Sequence, residues 1–209
     1  CTVRVMSTSG PAVGRTPKGD RSASRLLEAA TTVLARDGLG GATLARIADE
    51  ADMDKRSVVY YFGSREALLV RVVQTVGERI AQRIEPERDR AGDLVGLVDQ
   101  NIDALWSAIT TAPELARAYF SLLGGGTETG EVKSALLALK DAYLDVAREQ
   151  IAAIEAAGWP ARAPSEATAL LLVATLRGLL LEWTESGDSP ALDEALEQFK
   201  AALVDRFAP

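Results

Sequence analysis

The chain is predicted to be all-α, with an N-terminal three-helix unit followed by a longer helical region, and three observations predict it. Apolar residues recur at helical spacing in segment after segment, from Leu26–Leu34 near the start to Leu192–Phe207 at the end. Helix-start residues such as Thr43, Asp54, Ser64 and Pro113 stand in front of these segments, and glycines such as Gly38, Gly63 and Gly158 stand behind them. The composition, 47% hydrophobic and 25% charged over 209 residues, is that of an ordinary globular chain long enough to bury a core in one or two domains.

Residues 1–19 mix Ser, Thr, Gly and Pro with isolated bases and show no periodicity, which predicts a disordered basic arm. From about Asp20 to Asp37, Leu26, Leu27, Ala30, Val33 and Leu34 form one stripe of an amphipathic helix that ends at Gly38, and Gly40 and Gly41 make the turn after it. Thr43 is an N-cap for a short helix over Leu44–Ala51 carrying Ile47, Ala48 and Ala51. Asp52 falls where the chain must turn and tolerates the left-handed backbone better than most residues. Asp54 is expected to cap the next helix with its carboxylate. That helix carries Lys55, Arg56, Ser57, Val59, Tyr60 and Tyr61, with Val58 and Phe62 as its core residues. Ser64 caps a fourth helix, whose apolar positions from Leu68 to Ile84 continue to Pro86.

The charged stretch after Pro86 reads as a linker to a second all-helical region. Helices are expected there over about Asp93–Thr110, Pro113–Leu123, Glu131–Ala157, Ser165–Ser186 and Ser189–Phe207. Ala169–Leu181 is apolar nearly all round, which implies contact on more than one side, and Gly178 in its middle suggests close helix packing. The segment Gly124–Lys133 is glycine-rich, but Glu131 follows its last glycine where a phosphate loop needs lysine, so it is read as a connection between helices.

Composition excludes several function classes. Histidine is absent and Cys1 is the single cysteine, which removes the usual zinc ligands, disulfide frameworks and nucleophile–base pairs, so neither an enzyme nor a metal or cofactor site is expected. The apolar run Ala167–Trp183 is short for a bilayer and contains Arg177, so it is read as a packing helix, and a cytoplasmic setting as the default. The net charge of −7 argues against nucleic acid until it is divided. Residues 1–63 carry nine bases against seven acids, and the remainder carries 14 against 23. A weakly basic N-terminal module on an acidic body binds phosphate locally while the bulk charge limits non-specific association.

Two short helices joined by a tight turn, the second basic at its start and aromatic at its end, make a helix-turn-helix. The segment Thr43–Phe62 resembles the DNA-binding motif of the TetR family of bacterial regulators, with Ile47, Ala48, Ala51, Met53, Val58, Tyr61, Phe62, Ser64, Arg65 and Glu66 in register. It departs from that pattern at Asp52 for the turn glycine, Asp54 for the capping serine, Arg56 for a small residue and Val59 for a tyrosine. By position on the helix, Lys55, Arg56 and Ser57 are the candidate base-edge readers and Val59 can touch a thymine methyl, with Thr43, Tyr60, Tyr61 and Arg65 as phosphate contacts.

The resemblance implies a homodimer that binds palindromic DNA, most often as a repressor, and releases it when a small molecule enters the C-terminal domain. It divides the chain into a DNA-binding domain at 20–65 and an effector-binding and dimerisation domain at 66–209, with the last two helices (about 165–207) pairing across the dimer axis. The alternative is a helix-turn-helix protein with no small ligand, controlled by a protein partner or by its own concentration. Trp106, Tyr119, Phe120, Tyr143, Arg177 and Trp183 are the candidates to line an effector cavity. Arg177, in the most apolar helix, needs a partner: an internal acid such as Glu182, an acid across a dimer interface, or an anionic group on an effector.

Overall fold

The computed structural model describes residues 17–83, 93–125 and 130–207. Among them the chain forms α-helices and no strand: α1 (Pro17–Gly41), α2 (Leu44–Glu50), α3 (Lys55–Phe62), α4 (Arg65–Arg83), α5 (Leu94–Thr110), α6 (Pro113–Gly124), α7 (Glu131–Ala156), α8 (Ser165–Ser186) and α9 (Pro190–Val204). Each lies within a few residues of its expected span. The first begins at Pro17, three residues before Asp20, because proline suits a first helical turn. The rest of the expected N-terminal arm, residues 84–92 of the expected linker and residues 126–129 of the glycine-rich segment lie outside the described residues.

The chain packs as two compact units. One takes the sequence up to Arg79 together with Ala112–Leu139, and the other takes Ile80–Thr111 together with Lys140–Pro209. Compact packing thus groups the helices differently from a linear division at residue 65, since α6 and the first turns of α7 join the helix-turn-helix unit.

In the first unit, the α1 stripe is sealed: Leu26, Ala30, Val33 and Leu34 have no exposed surface. Ile47 and Ala48 of α2, Val58 of α3 and Leu68, Leu69, Val72 and Val73 of α4 are likewise buried, and α1 packs on both α2 and α3. The broadest packing of α1 is against α6, which the sequence spacing does not announce. Helical geometry in α1 breaks at Gly38, whose φ of 70° favours glycine, so the helix proper ends where the sequence places its end. Gly125, just past α6, is held by a close approach. A β-carbon there would stand 2.7 Å from Leu39 Cβ and 2.9 Å from the Ser121 carbonyl oxygen.

In the second unit, α5, α7, α8 and α9 share a core that includes Val98, Ile102, Leu144, Ile151, Val173, Leu176, Leu196 and Phe207. Asp93 caps α5 by accepting from the Gly96 amide at 2.7 Å, and Ser189 caps α9 by accepting from Leu192 at 3.2 Å. Lys200 is buried, and its ammonium reaches Asp103 of α5 and Glu197 of its own helix, each at 2.7 Å. Burial alone would lower its pKa, but the hydrogen bonds and charges of the two acids together outweigh that and raise it.

The expectation for α8 needs correcting within this chain. Thr168, Ala169, Val173, Leu176 and Leu180 are buried, but Leu170, Leu171 and Leu181 are exposed, and a β-carbon added at Gly178 would meet nothing within 4 Å. One face of α8 packs inside the unit and another stands bare. Among the described residues α8 is the helix long and apolar enough to cross a bilayer by length and composition.

Candidate nucleic-acid interface and ligand cavity

The helix-turn-helix is built from local choices that the structure reproduces with one exception. Thr43 takes an extended backbone and its hydroxyl oxygen accepts from the Arg46 amide at 3.3 Å, leaving the hydroxyl proton for an outside acceptor. The turn between α2 and α3 is closed by the Met53 amide donating to the Ala48 carbonyl at 2.9 Å, with Asp52 in the left-handed region at φ 50°. Asp54 precedes α3 with an extended backbone, but its carboxylate makes no capping bond. The first turn is closed instead by the Ser57 amide donating to the Asp54 main-chain carbonyl at 2.8 Å.

α3 fully buries Val58 and no other residue. Lys55 and Arg56 at its start are exposed, Ser57 is half-buried, and Val59 and Tyr60 keep 48% and 62% of their surface open to water, an unusual amount for an apolar and an aromatic side chain. The half-buried Tyr61 meets Tyr60 edge to face, with ring centroids 5.0 Å apart. Two of the other cations around the motif are already committed. Arg36 bonds Asp37 at 3.0 Å and Glu50 at 2.9 Å, and Arg25 donates to the Ala51 carbonyl at 2.6 Å. The hydrogen bond from Arg36 is the main reason the Asp37 carboxyl sits below the usual range, against a desolvation that raises it. Lys55 and Arg56 make no ion pair among the described residues, so they are the uncommitted positive charge of α3.

Arg65 is placed otherwise than expected for a phosphate contact. It is partly buried, and its guanidinium donates from Nε to the Ala42 carbonyl at 2.5 Å and from Nη2 to the Leu39 carbonyl at 2.6 Å. It ties the first residue of α4 to the end of α1, joining the Ala42 amide as a second donor to the Leu39 carbonyl.

The second site is a cavity of about 120 Å³ inside the unit that holds α5, α8 and α9. Aliphatic side chains from α5, α7 and α8 make most of its wall, and Leu203 and Phe207 close it from the C-terminal end. Trp106, Tyr143 and Arg177 line it as expected. Tyr119, Phe120 and Trp183 do not. Tyr119 is buried in the helix-turn-helix unit, edge to face with Phe120 at 5.2 Å, where α6 packs on α1. Trp183 lies past the cavity, and its indole N–H donates to Asp188 at 2.9 Å across the turn into α9.

Asn101, Gln150 and Thr168 line the cavity without having been expected. For Asn101 and Gln150 the signal was present in the spacing. Asn101 falls on the Val98–Ile102–Leu105 stripe and Gln150 on the Ala147–Ile151–Ile154 stripe, so each puts an amide where helical periodicity calls for hydrocarbon. The Glu182 carboxylate, offered as a partner for Arg177, instead accepts from the Ser186 hydroxyl at 2.8 Å. Arg177 forms neither an ion pair nor a hydrogen bond among the described residues.

Comparison with known proteins agrees with this geometry. Residues 26–72 match the family model for bacterial regulatory proteins, tetR family. The HTH-type transcriptional repressor NicS of Pseudomonas putida is 26% identical over 100 residues, which are 48% of this chain and 47% of that protein, so the match spans about half of each. A TetR-family transcriptional regulator from Rhodococcus sp. superposes with a TM-score of 0.73 at 20% identity, covering 90% of this chain and all 100% of that one. The fatty acid degradation regulator FadR from Bacillus halodurans superposes with a TM-score of 0.73 at 18% identity, covering 91% and 96%. At these identities the structural likeness speaks for the fold.

Proposed function

From the premise that this chain belongs to the TetR family of bacterial regulators, we propose that it is a cytoplasmic, nucleoid-associated repressor that binds a palindromic operator as a homodimer and leaves it when a small molecule fills the cavity. The observation that carries this reading is α3, which buries Val58 alone and turns two uncommitted cations and two bare apolar side chains outward. Such a face fits the major groove: Lys55, Arg56 and Ser57 at the helix start reach base edges, Val59 meets a thymine methyl, and Thr43, Tyr60 and Tyr61 reach phosphates.

The homodimer is supported by the bare stripe Leu170, Leu171, Ala174, Gly178 and Leu181 along α8. An equivalent stripe on a second copy, with α9 beside it, would cover this apolar surface, and the missing side chain at Gly178 would let the two backbones approach. The effector reading is supported by the cavity, which gives it an advantage over control by a protein partner. A ligand acts on DNA affinity only through its different affinity for the two states of the dimer. The helices α4 and α7, each of which contributes residues to both compact units, are the proposed carriers of that difference.

A binding titration on the DNA flanking the protein's own gene tests the reader. Arg56→Ala is expected to relax discrimination between the operator and single-base variants by about 1–3 kcal/mol. Unchanged discrimination would remove Arg56 from base recognition.

A further inference from the structure

Resting on the cavity being the effector site, we infer that the effector is a small uncharged hydrocarbon, a single ring or a short chain, recognised by burial and shape without a polar anchor. The wall is the first reason. Although 25% of the chain is charged, Arg177 is the one charged residue that lines the cavity, and the surface turned toward the cavity is almost entirely carbon. Arg177 is half-buried, and none of its nitrogens is sealed from water without a partner. That is the arrangement of a long cation whose stem covers apolar wall while its head keeps its hydration. Asn101 and Gln150 are likewise half-buried, with no amide atom sealed off and unpartnered. The Thr168 hydroxyl is spent on the Pro164 carbonyl at 3.4 Å.

The second reason is what such a wall does to a polar guest. A hydroxyl, amide or carboxylate entering it sheds its hydration and gains no hydrogen bond in return. A hydrocarbon gives up nothing of that kind and gains in proportion to the apolar area it buries. Water is a poor competitor for the space, since a held water molecule needs roughly two to four polar partners. The half-buried rings of Trp106 and Tyr143 stand on the same wall and offer contact to a flat guest.

Size narrows the class. The cavity of about 120 Å³ is comparable with an apolar cavity of roughly 150 Å³ that admits a benzene ring, which points to a single ring or a short chain.

The test titrates the full-length chain with toluene, methylcyclohexane and n-hexane, each beside the alcohol of matched size (phenol, cyclohexanol and pentan-1-ol), and with benzoate. It reads thermal stabilisation and release of the DNA flanking the protein's own gene. At least one hydrocarbon is expected to bind about tenfold or more tighter than its alcohol and to release the DNA, with benzoate weaker than toluene. Ala147, buried on the cavity wall, gives the control for place: Ala147→Leu fills part of the space and should weaken the preferred hydrocarbon about tenfold or more. The guest-free melting curve establishes whether that variant folds, and Ala147→Val, a smaller addition, should weaken binding about threefold where Ala147→Leu does not fold. An alcohol that binds as tightly as its matched hydrocarbon, or benzoate as tightly as toluene, would overturn the inference and leave the cavity reading intact. Unchanged hydrocarbon affinity in a folded Ala147 variant would overturn it by placing the guest elsewhere. Stabilisation without release of the DNA, or failure of every compound to stabilise, would overturn the effector reading itself, and the inference with it.

Discussion

The two compact units differ in how tightly their cores are closed. In the helix-turn-helix unit Leu26, Val33, Leu34, Ile47, Val58, Leu68 and Val72 are all at 0% exposure. In the cavity unit Ile102, Ile151 and Phe207 come close to that at 2%, but Val98 keeps 5%, Val173 7%, and Leu144, Leu176 and Leu196 8%. A region that must present one fixed face to a rigid partner gains from a core with a single packing solution. A region that must admit a guest keeps part of its interior unfilled and gives up the dispersion contacts that filling would add.

The largest expected effect tests this contrast directly. Leu34→Ala in the sealed core is expected to lower stability by about 2–5 kcal/mol, since it opens a new void. Leu176→Ala, whose side chain already borders the cavity, is expected to cost at least about 1 kcal/mol less. Denaturant titrations of both variants check it, and equal losses would break the comparison.

A middle-sized effect sharpens the division of labour within the reader. Arg65→Ala removes the donor to the Ala42 carbonyl and one of two donors to that of Leu39, and is expected to cost about 1–3 kcal/mol of stability, without changing which operator variants are preferred. Lys55→Ala is expected to do the reverse. Its stability should stay within about 0.5 kcal/mol, while DNA binding weakens uniformly and the salt dependence drops by about one charge.

The smallest effect concerns pH. The pKa of Lys200 is raised on folding, so its contribution is fully present below the ordinary lysine value of 10.5 and is lost as pH rises through the raised folded value. Lys200→Met should therefore show a flatter stability profile than the unaltered chain between neutral pH and about pH 11 or above, measured by urea titration.

The local chemistry of the reader was legible residue by residue because its determinants are short-range. Thr43 caps as its type predicts, and Asp52 adopts the left-handed turn that its tolerance predicts. Asp54 shows the limit of that reasoning: a side-chain cap is one of two ways to satisfy a first-turn amide, and here the main chain supplies the other. The illegible parts depend on partners far along the chain. Nothing near Arg65 in sequence announces that its guanidinium will meet the carbonyls of Leu39 and Ala42. Tyr119 and Phe120 have the composition of a ligand wall, but α6 carries them onto α1, and only tertiary packing decides that. Asn101 and Gln150 lay between these cases, visible as polar breaks in apolar stripes but uninterpretable until the cavity was seen.

The residues that line the cavity and those that form the outward face of α3 belong to different compact units and share no position. On the proposed reading, such a chain holds two independently editable vocabularies. Exchanging a side chain on the cavity wall would rewrite the chemical word that is heard while leaving Lys55, Arg56 and Val59, the letters that are read, as they stand. A lineage carrying this fold could then acquire a new inducer without having to rebuild its operators.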